Sequence, residues 1–144
     1  MLYQRSLTPR RFYGRDPTDP VIWWAPGTRT YVAIRVIRRM APAAVMVLLH
    51  KALVDIQTHI ARAGDGLLLN GIYIYDWQTS GADCEVYTIN SNNHQQTWGV
   101  VRAALLAVSD YMLSNNVMGP ATFTIYDAGT EVGQGTIEVT PGPW

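Results

Sequence analysis

One cysteine, Cys84, stands alone in 144 residues, so no disulfide can close within a single chain and no cysteine-rich zinc site can be assembled. Its natural role is that of a small buried hydrophobe. Charge is scarce too: 15% of the residues are charged and 48% are hydrophobic, against roughly 25% charged in a typical soluble domain. A surface so poor in charge favours self-association, and a homo-oligomer is the first partner expected. Long apolar runs are also missing. The most apolar stretch, Ala41 to Leu49, is followed by His50, Lys51 and Asp55 and falls short of the roughly 20 residues that a membrane span needs. No transmembrane helix is expected. Residues 1–15 carry four arginines and no acid but no continuous apolar run, which argues against a secretory signal at this start. Pro9 interrupts the amphipathic helix that an Arg-rich organelle presequence would need. The compartment stays open.

Signatures of catalysis and metal binding are absent as well. His50, His59 and His94 are the three imidazoles, and His50 and His59 stand nine positions apart, about 180° around a helix, so they cannot share an ion. Asp55 and His59 can pair on one helix face as ordinary surface electrostatics. There is no H-E-x-x-H, no paired cysteine motif and no carboxylate set of ligand spacing. Neither a metal nor a cofactor is expected. Gly129, Gly133 and Gly135 fall in a predicted hairpin and not between a strand and a helix, so they do not form a phosphate loop. Gly133-Gln134-Gly135 better suits a bulge or close packing against a neighbouring backbone or ring. The strand Glu85-Val86-Tyr87-Thr88-Ile89 lacks the basic, doubly aromatic signature of an RNA-binding sheet, and nucleic acid is not an expected partner of the domain body.

What is present is a chain of single-domain length, able to bury roughly 70% of its extended surface. Its zero net charge is unevenly spread. Residues 1–40 hold eight arginines against Asp16 and Asp19, for +6, and residues 41–144 hold Lys51, Arg62 and Arg102 against nine acids, for −6. A basic segment of this kind either seeks an acidic partner or nucleic acid, or lies across its own acidic domain. The second is favoured because Phe12, Tyr13, Ile22, Trp23 and Trp24 in the same segment call for burial. Pro9, Pro17, Pro20 and Pro26 with Gly14 and Gly27 forbid regular helix over residues 1–30, which read as an irregular arm ahead of a single domain at 31–140 and a short tail at 141–144.

Alternating Val32, Ile34 and Val36 predict a first strand within 31–39. Pro42 suits the first turn of a helix, and Val45, Leu49, Ala52, Ile56 and Ile60 recur at helical spacing up to Gly64. Leu67 to Asp76 and Cys84 to Asn90 read as strands joined by a loop at Thr79-Ser80-Gly81. Asn93 and Gln96 have the spacing of a capping box, which opens a second helix there with Val101, Leu105, Val108 and Met112 as its buried face. Asn115 and Asn116 end that helix, and residues 121–127 and 131–139 form a last hairpin.

Ile72-Tyr73-Ile74-Tyr75-Asp76 aligns with Phe123-Thr124-Ile125-Tyr126-Asp127 at an offset of 51, each following a helix and preceding a turn and another strand. The pattern is an internal repeat with pseudo-twofold character. The order β-α-β-β-α-β with one extra strand predicts an α+β, ferredoxin-like fold with an antiparallel sheet and both helices on one face. The other face then stays open to water, the arm, a second subunit or a ligand.

The stretches Glu85 through His94, Thr97-Trp98-Gly99-Val100, Tyr126-Asp127 and Val132 through Ile137 resemble a family of small uncharacterised fungal proteins over about residues 85–139. The resemblance implies a lineage-restricted protein, secreted or pathway-associated, whose true start lies upstream; it implies no catalytic residues.

The leading functional expectation is a non-catalytic binding or self-associating module that uses its open sheet face. Trp23, Trp24, Tyr73, Tyr75, Asn93 and His94 are its candidate binding residues. The alternative is a small enzyme or ligand-binding α+β barrel with an apolar, aromatic-lined pocket, in which His94, Asp76 and Asp127 would be the catalytic candidates. An anion at the helix start beside Asn93 and His94 is chemically reasonable, although capping accounts for the same residues. The repeat places Asp76 and Asp127 at equivalent strand ends before turns, where a carboxylate accepts backbone N–H groups. Asp127→Ala is accordingly expected to lower stability by roughly 0.5–2 kcal/mol in denaturant titrations, as loss of a cap does, with partner affinity of the folded protein unchanged.

Overall fold

Residues 19–79 and 81–141 are described by a computed structural model; the Arg-rich start and most of the expected tail, 142–144, lie outside them. The strands are β1 (Val21–Trp24), β2 (Thr30–Val36), β3 (Ile72–Gln78), β4 (Ala82–Asn90), β5 (Ala121–Asp127) and β6 (Thr130–Pro141), with helices α1 (Pro42–Ala63) and α2 (Trp98–Asn115). They build an α+β fold with one six-stranded sheet in the order β1-β2-β5-β6-β4-β3, antiparallel at every pairing.

The strand order departs from the ferredoxin-like one. There, the first strand of the β-α-β-β-α-β series sits between the last and the third. Here that place belongs to β6, between β5 and β4, and β2 is displaced outward to pair with β5 alone on that side. The strand that looked supernumerary in the sequence is thus the middle of the sheet. Twelve residues long, β6 covers β4 from Asn90↔Gly133 to Ala82↔Pro141, and the length of that shared ladder explains why it displaces the shorter β2. Each helix is followed by a hairpin, β3–β4 or β5–β6, yet β3 is an edge strand and β5 an internal one.

The stretch expected to be an irregular arm also differs: Val21–Trp24 within it forms β1. Trp23 is 3% exposed, donates its indole N–H to Asp110 Oδ2 at 2.8 Å and meets the ring of Tyr111 edge-on at 5.3 Å. Burial of this indole, with its one donor satisfied, outweighs the turn-forming prolines around it.

Period-2 patterning sends one side of every strand to the helices. Registered neighbours Ile34, Phe123 and Gly135, and likewise Ala121, Ile137 and Val86, share this face. Against it pack Val45, Leu48, Leu49, Ala52 and Ile56 of α1 and a broader set on α2 that includes Ala103, Ala104 and Ala107. The alanines let α2 approach closely, and each fully buried Leu, Ile or Met contributes about 1.5–3 kcal/mol relative to exposure. By length and composition α1 could cross a membrane, with 22 residues and a mean hydropathy of 1.2 over its best window. Its buried stripe, however, lies in this core, and its exposed side carries His50, Lys51 and Asp55.

α1 begins with Pro42 in its first turn and stops at Gly64, whose φ of 84° lies in the left-handed region. α2 does not open at Asn93. Asn92 and Asn93 both take left-handed φ, at 55° and 58°, and Gln96 turns inward at 1% exposure, so the capping box expected there is not formed. Thr97 is the cap, its hydroxyl accepting from the Val100 N–H at 3.2 Å, while Asp65 accepts from the Gly99 N–H at 2.7 Å.

Gly135 lies under the ring of Phe123, and a Cβ added there would collide with that ring. Gly135→Ala is therefore expected to cost about 1–3 kcal/mol by overpacking, read as a lower urea midpoint. Trimming the ring in Gly135→Ala/Phe123→Leu should recover part of the loss.

Candidate functional site: the open sheet face

The side chains that alternate with the core positions point away from both helices, and among the described residues no element covers them. At one end of this face, Trp24, Tyr31 and Tyr126 stand in cross-strand register. Tyr31 stacks on Tyr126 at 4.8 Å and 7°, and Trp24 tilts against Tyr31 at 4.5 Å. Burial, then the neighbouring Tyr126, raises the Tyr31 phenol above its ordinary range. Beside this ladder Arg29 pairs with Asp127 at 3.6 Å. In the middle of the sheet a trough of about 280 Å³ runs over Tyr87, Ile89, Thr122, Thr124, Gln134 and Thr136.

The far end is acidic. Asp76 of β3 faces Glu85 of β4, and Glu85 faces Glu138 of β6, so three carboxylates form a straight row across three adjacent strands. Asp83, two residues before Glu85, faces the same way, and its Oδ1 is enclosed without a hydrogen-bond partner among the described residues. A hollow of about 270 Å³ is lined by all four acids with Gln78, Cys84 and Thr140. Withdrawal from water, then a shared hydrogen bond with Asp76 and the charges of Asp76 and Glu138, raise the Glu85 carboxyl above its ordinary range. No group of histidine, cysteine and acidic residues suited to a metal occurs among the described residues.

The residues singled out from sequence are scattered. His94 is exposed on the loop after β4, its Nδ1 lying 2.6 Å from the Asn92 carbonyl, and Asn93 is exposed beside it. Asp127 lies at the same end of the sheet, bonded by the Thr30 hydroxyl at 3.4 Å and paired with Arg29, so it ties β5 to β2 and does not cap its own turn. Asp76 sits at the other end, in the acidic row. Its row and the Ile72↔Ile89 row are four residues apart on β3, about 13 Å, so His94, Asp76 and Asp127 do not converge. Trp24 is on the open face, whereas Trp23, Tyr73 and Tyr75 point to the helix side.

Tyr73 belongs to a second cluster. Its hydroxyl donates to Asp55 Oδ2 at 2.9 Å and lies 3.2 Å from the Ala52 carbonyl. Trp98 meets the Tyr73 ring edge-on at 5.6 Å and stacks on His59 at 3.7 Å. Burial, then Asp55, holds the Tyr73 phenol far above its ordinary range, so it stays a proton donor that pins α1 to β3. Asp55 thus pairs with Tyr73, and His59 with Trp98, where the helix spacing had suggested that they pair with each other.

Sequence reasoning missed Glu85, Glu138, Tyr31 and Tyr126. The signal was register: Asp76, Glu85 and Glu138 are unremarkable acids until three strands are aligned.

No family of known proteins matches this chain, and neither a curated protein nor a solved structure is similar to it.

A carboxyl that holds its proton more tightly in the folded than in the unfolded chain destabilises the fold once ionised. For Glu85 that cost appears as pH rises through its raised value and vanishes below the ordinary Glu range. Glu85→Gln is expected to be more stable than wild type at neutral pH by about 0.2–1 kcal/mol, the scale of an opposed cross-strand pair. The advantage should shrink to nothing near about pH 4, as followed by urea denaturation across pH.

Proposed function

We propose that this chain is a non-catalytic binding module that docks a cationic polypeptide segment on its open sheet face. The observation that carries the reading is the charge balance of that face. Asp76, Asp83, Glu85 and Glu138 stand against Arg35 as its one basic residue among the described strands. Like charges in direct register destabilise a sheet, and a basic partner lying across them reverses that cost. Beside the acids, Tyr87 and Ile89 in the trough, with half-exposed Ile74 (49%), supply apolar contact, and the stacked Tyr31 and Tyr126 present ring edges to arginine stems.

The same reading treats the strand–helix–hairpin pattern at a spacing of 51 residues as a duplicated unit, with the acidic row drawn from both copies. The fungal family remains the proposed kinship of residues 85–139. The enzymatic alternative has less support, because the catalytic candidates lie apart and the raised Tyr73 phenol is explained by its structural bond to Asp55.

Fluorescence anisotropy with a labelled oligoarginine peptide tests the proposal. Binding is expected at about 20 mM salt and should weaken at least tenfold at about 200 mM, where the Debye length falls below 10 Å. Asp76→Lys/Glu138→Lys, both exposed positions, should weaken it by a similar factor with the circular dichroism unchanged. Absence of binding at low salt, or binding that ignores the charge reversal, would rule the proposal out.

A further inference from the structure

The two edges of the sheet are unlike. β1 is four residues long and is bracketed by Pro20 and Pro26, which offer no backbone donor and so blunt an edge. β3 is seven residues long, Ile72-Tyr73-Ile74-Tyr75-Asp76-Trp77-Gln78, with no proline, glycine or lysine, and it pairs with β4 alone. Among the described residues nothing pairs with its second edge, where the outward N–H and C=O groups form a template for another strand.

Exposed apolar side chains gather around this edge. Of the nine large hydrophobics exposed among the described residues, Ile74 lies on β3, Leu67 and Leu69 just before it, and Met46 and Val54 on α1. Met46, His50 and Val54 follow one another at helical spacing, and a groove of about 300 Å³ between α1 and β3 is lined by His50, Lys51, Val54, Asp55 and Tyr75.

We infer that β3 is the edge through which two copies of this chain pair, strand to strand and antiparallel, about a two-fold axis near Tyr75. A two-fold contact requires a patch that complements itself, and this one does. Pairing centred on Tyr75 sets Ile72 opposite Gln78, Tyr73 opposite Trp77 and Ile74 opposite Asp76, so aromatic meets aromatic on the helix side and no like charges stand directly opposed. On α1, Lys51 and Asp55 lie one turn apart, and the same axis turns Lys51 of each copy toward Asp55 of the other. The paired strands span about 23 Å. With the α1 stripe alongside they bury about 500 Å² per copy, less than the roughly 800 Å² of a standard interface. Such an area suits a dimer that forms at micromolar concentration.

This pairing does not depend on what the open face binds, and sedimentation velocity on the full chain tests it separately from peptide binding. The wild type is expected to pass from monomer to dimer between about 1 and 100 µM, the range set by an interface of that size. Ile74→Lys should be monomeric throughout, and Lys51→Glu, which sets an acid against the partner's Asp55, should weaken dimerisation at least fivefold. Both variants should keep the wild-type circular dichroism. Lys51 is exposed on the helix surface, so its variant remains informative if Ile74→Lys fails to fold. A wild type that stays monomeric at the highest concentration, or a dimer that Lys51→Glu leaves intact, would overturn the inference.

Discussion

Two glycines on the middle strand set the depth at which everything else packs. Phe123 lies over Gly135 and the Gln96 side chain lies over Gly133, and neither position has room for a Cβ. Interiors pack at crystal-like density, so a missing methyl here is space already used by a neighbour. Gln96 then organises the passage from β4 into α2. Its backbone N–H donates to Asn90 Oδ1 at 2.9 Å and its side chain donates to the Thr88 hydroxyl at 3.1 Å, which places Thr97 to cap the helix. The left-handed turn at Asn92 and Asn93 follows from the same demand, because the chain must reverse before Gln96 can enter the core. The Gln96 Oε1 has no hydrogen-bond partner among the described residues, a cost that the surrounding packing offsets.

The helix side and the open side of the sheet are under opposite constraints. On the helix side every polar group with a structural task has one partner that defines it: Trp23 with Asp110, and Tyr73 with Asp55. These two contacts fasten the sheet's outer strands to different helices, β1 to α2 and β3 to α1. On the open side, carboxylates oppose carboxylates and rings stack in a row, an arrangement that stabilises the isolated fold little. The contrast between a satisfied face and a frustrated one is the physical ground for reading the second as the functional surface.

The sequence made local structure legible where a single period dominates. The stripe from Val45 to Ile60 and the alternation around Ile34, Ile72 and Ile125 fixed both helices and most strands to within a few residues. Strand order was not legible, since it depends on the long ladder between β6 and β4, which no local pattern encodes. Nor was β1, where one buried indole outweighs the surrounding prolines. The Asn93/Gln96 spacing misled because the same residue types serve capping and left-handed turns equally well. The acidic row shows the general limit: each carboxylate is ordinary on its own strand, and only cross-strand register turns three of them into a feature.

Cys84 is 3% exposed, beneath the hollow that the acids line, and burial followed by the charge of Asp83 raises its thiol above the ordinary range. As the sole cysteine of the chain, it is a native, single-site reporter. A thiol held protonated and out of reach reacts only during openings that expose it. The rate at which an alkylating reagent consumes the protein therefore measures, without any introduced label, how often β4 and β6 part at the centre of the sheet.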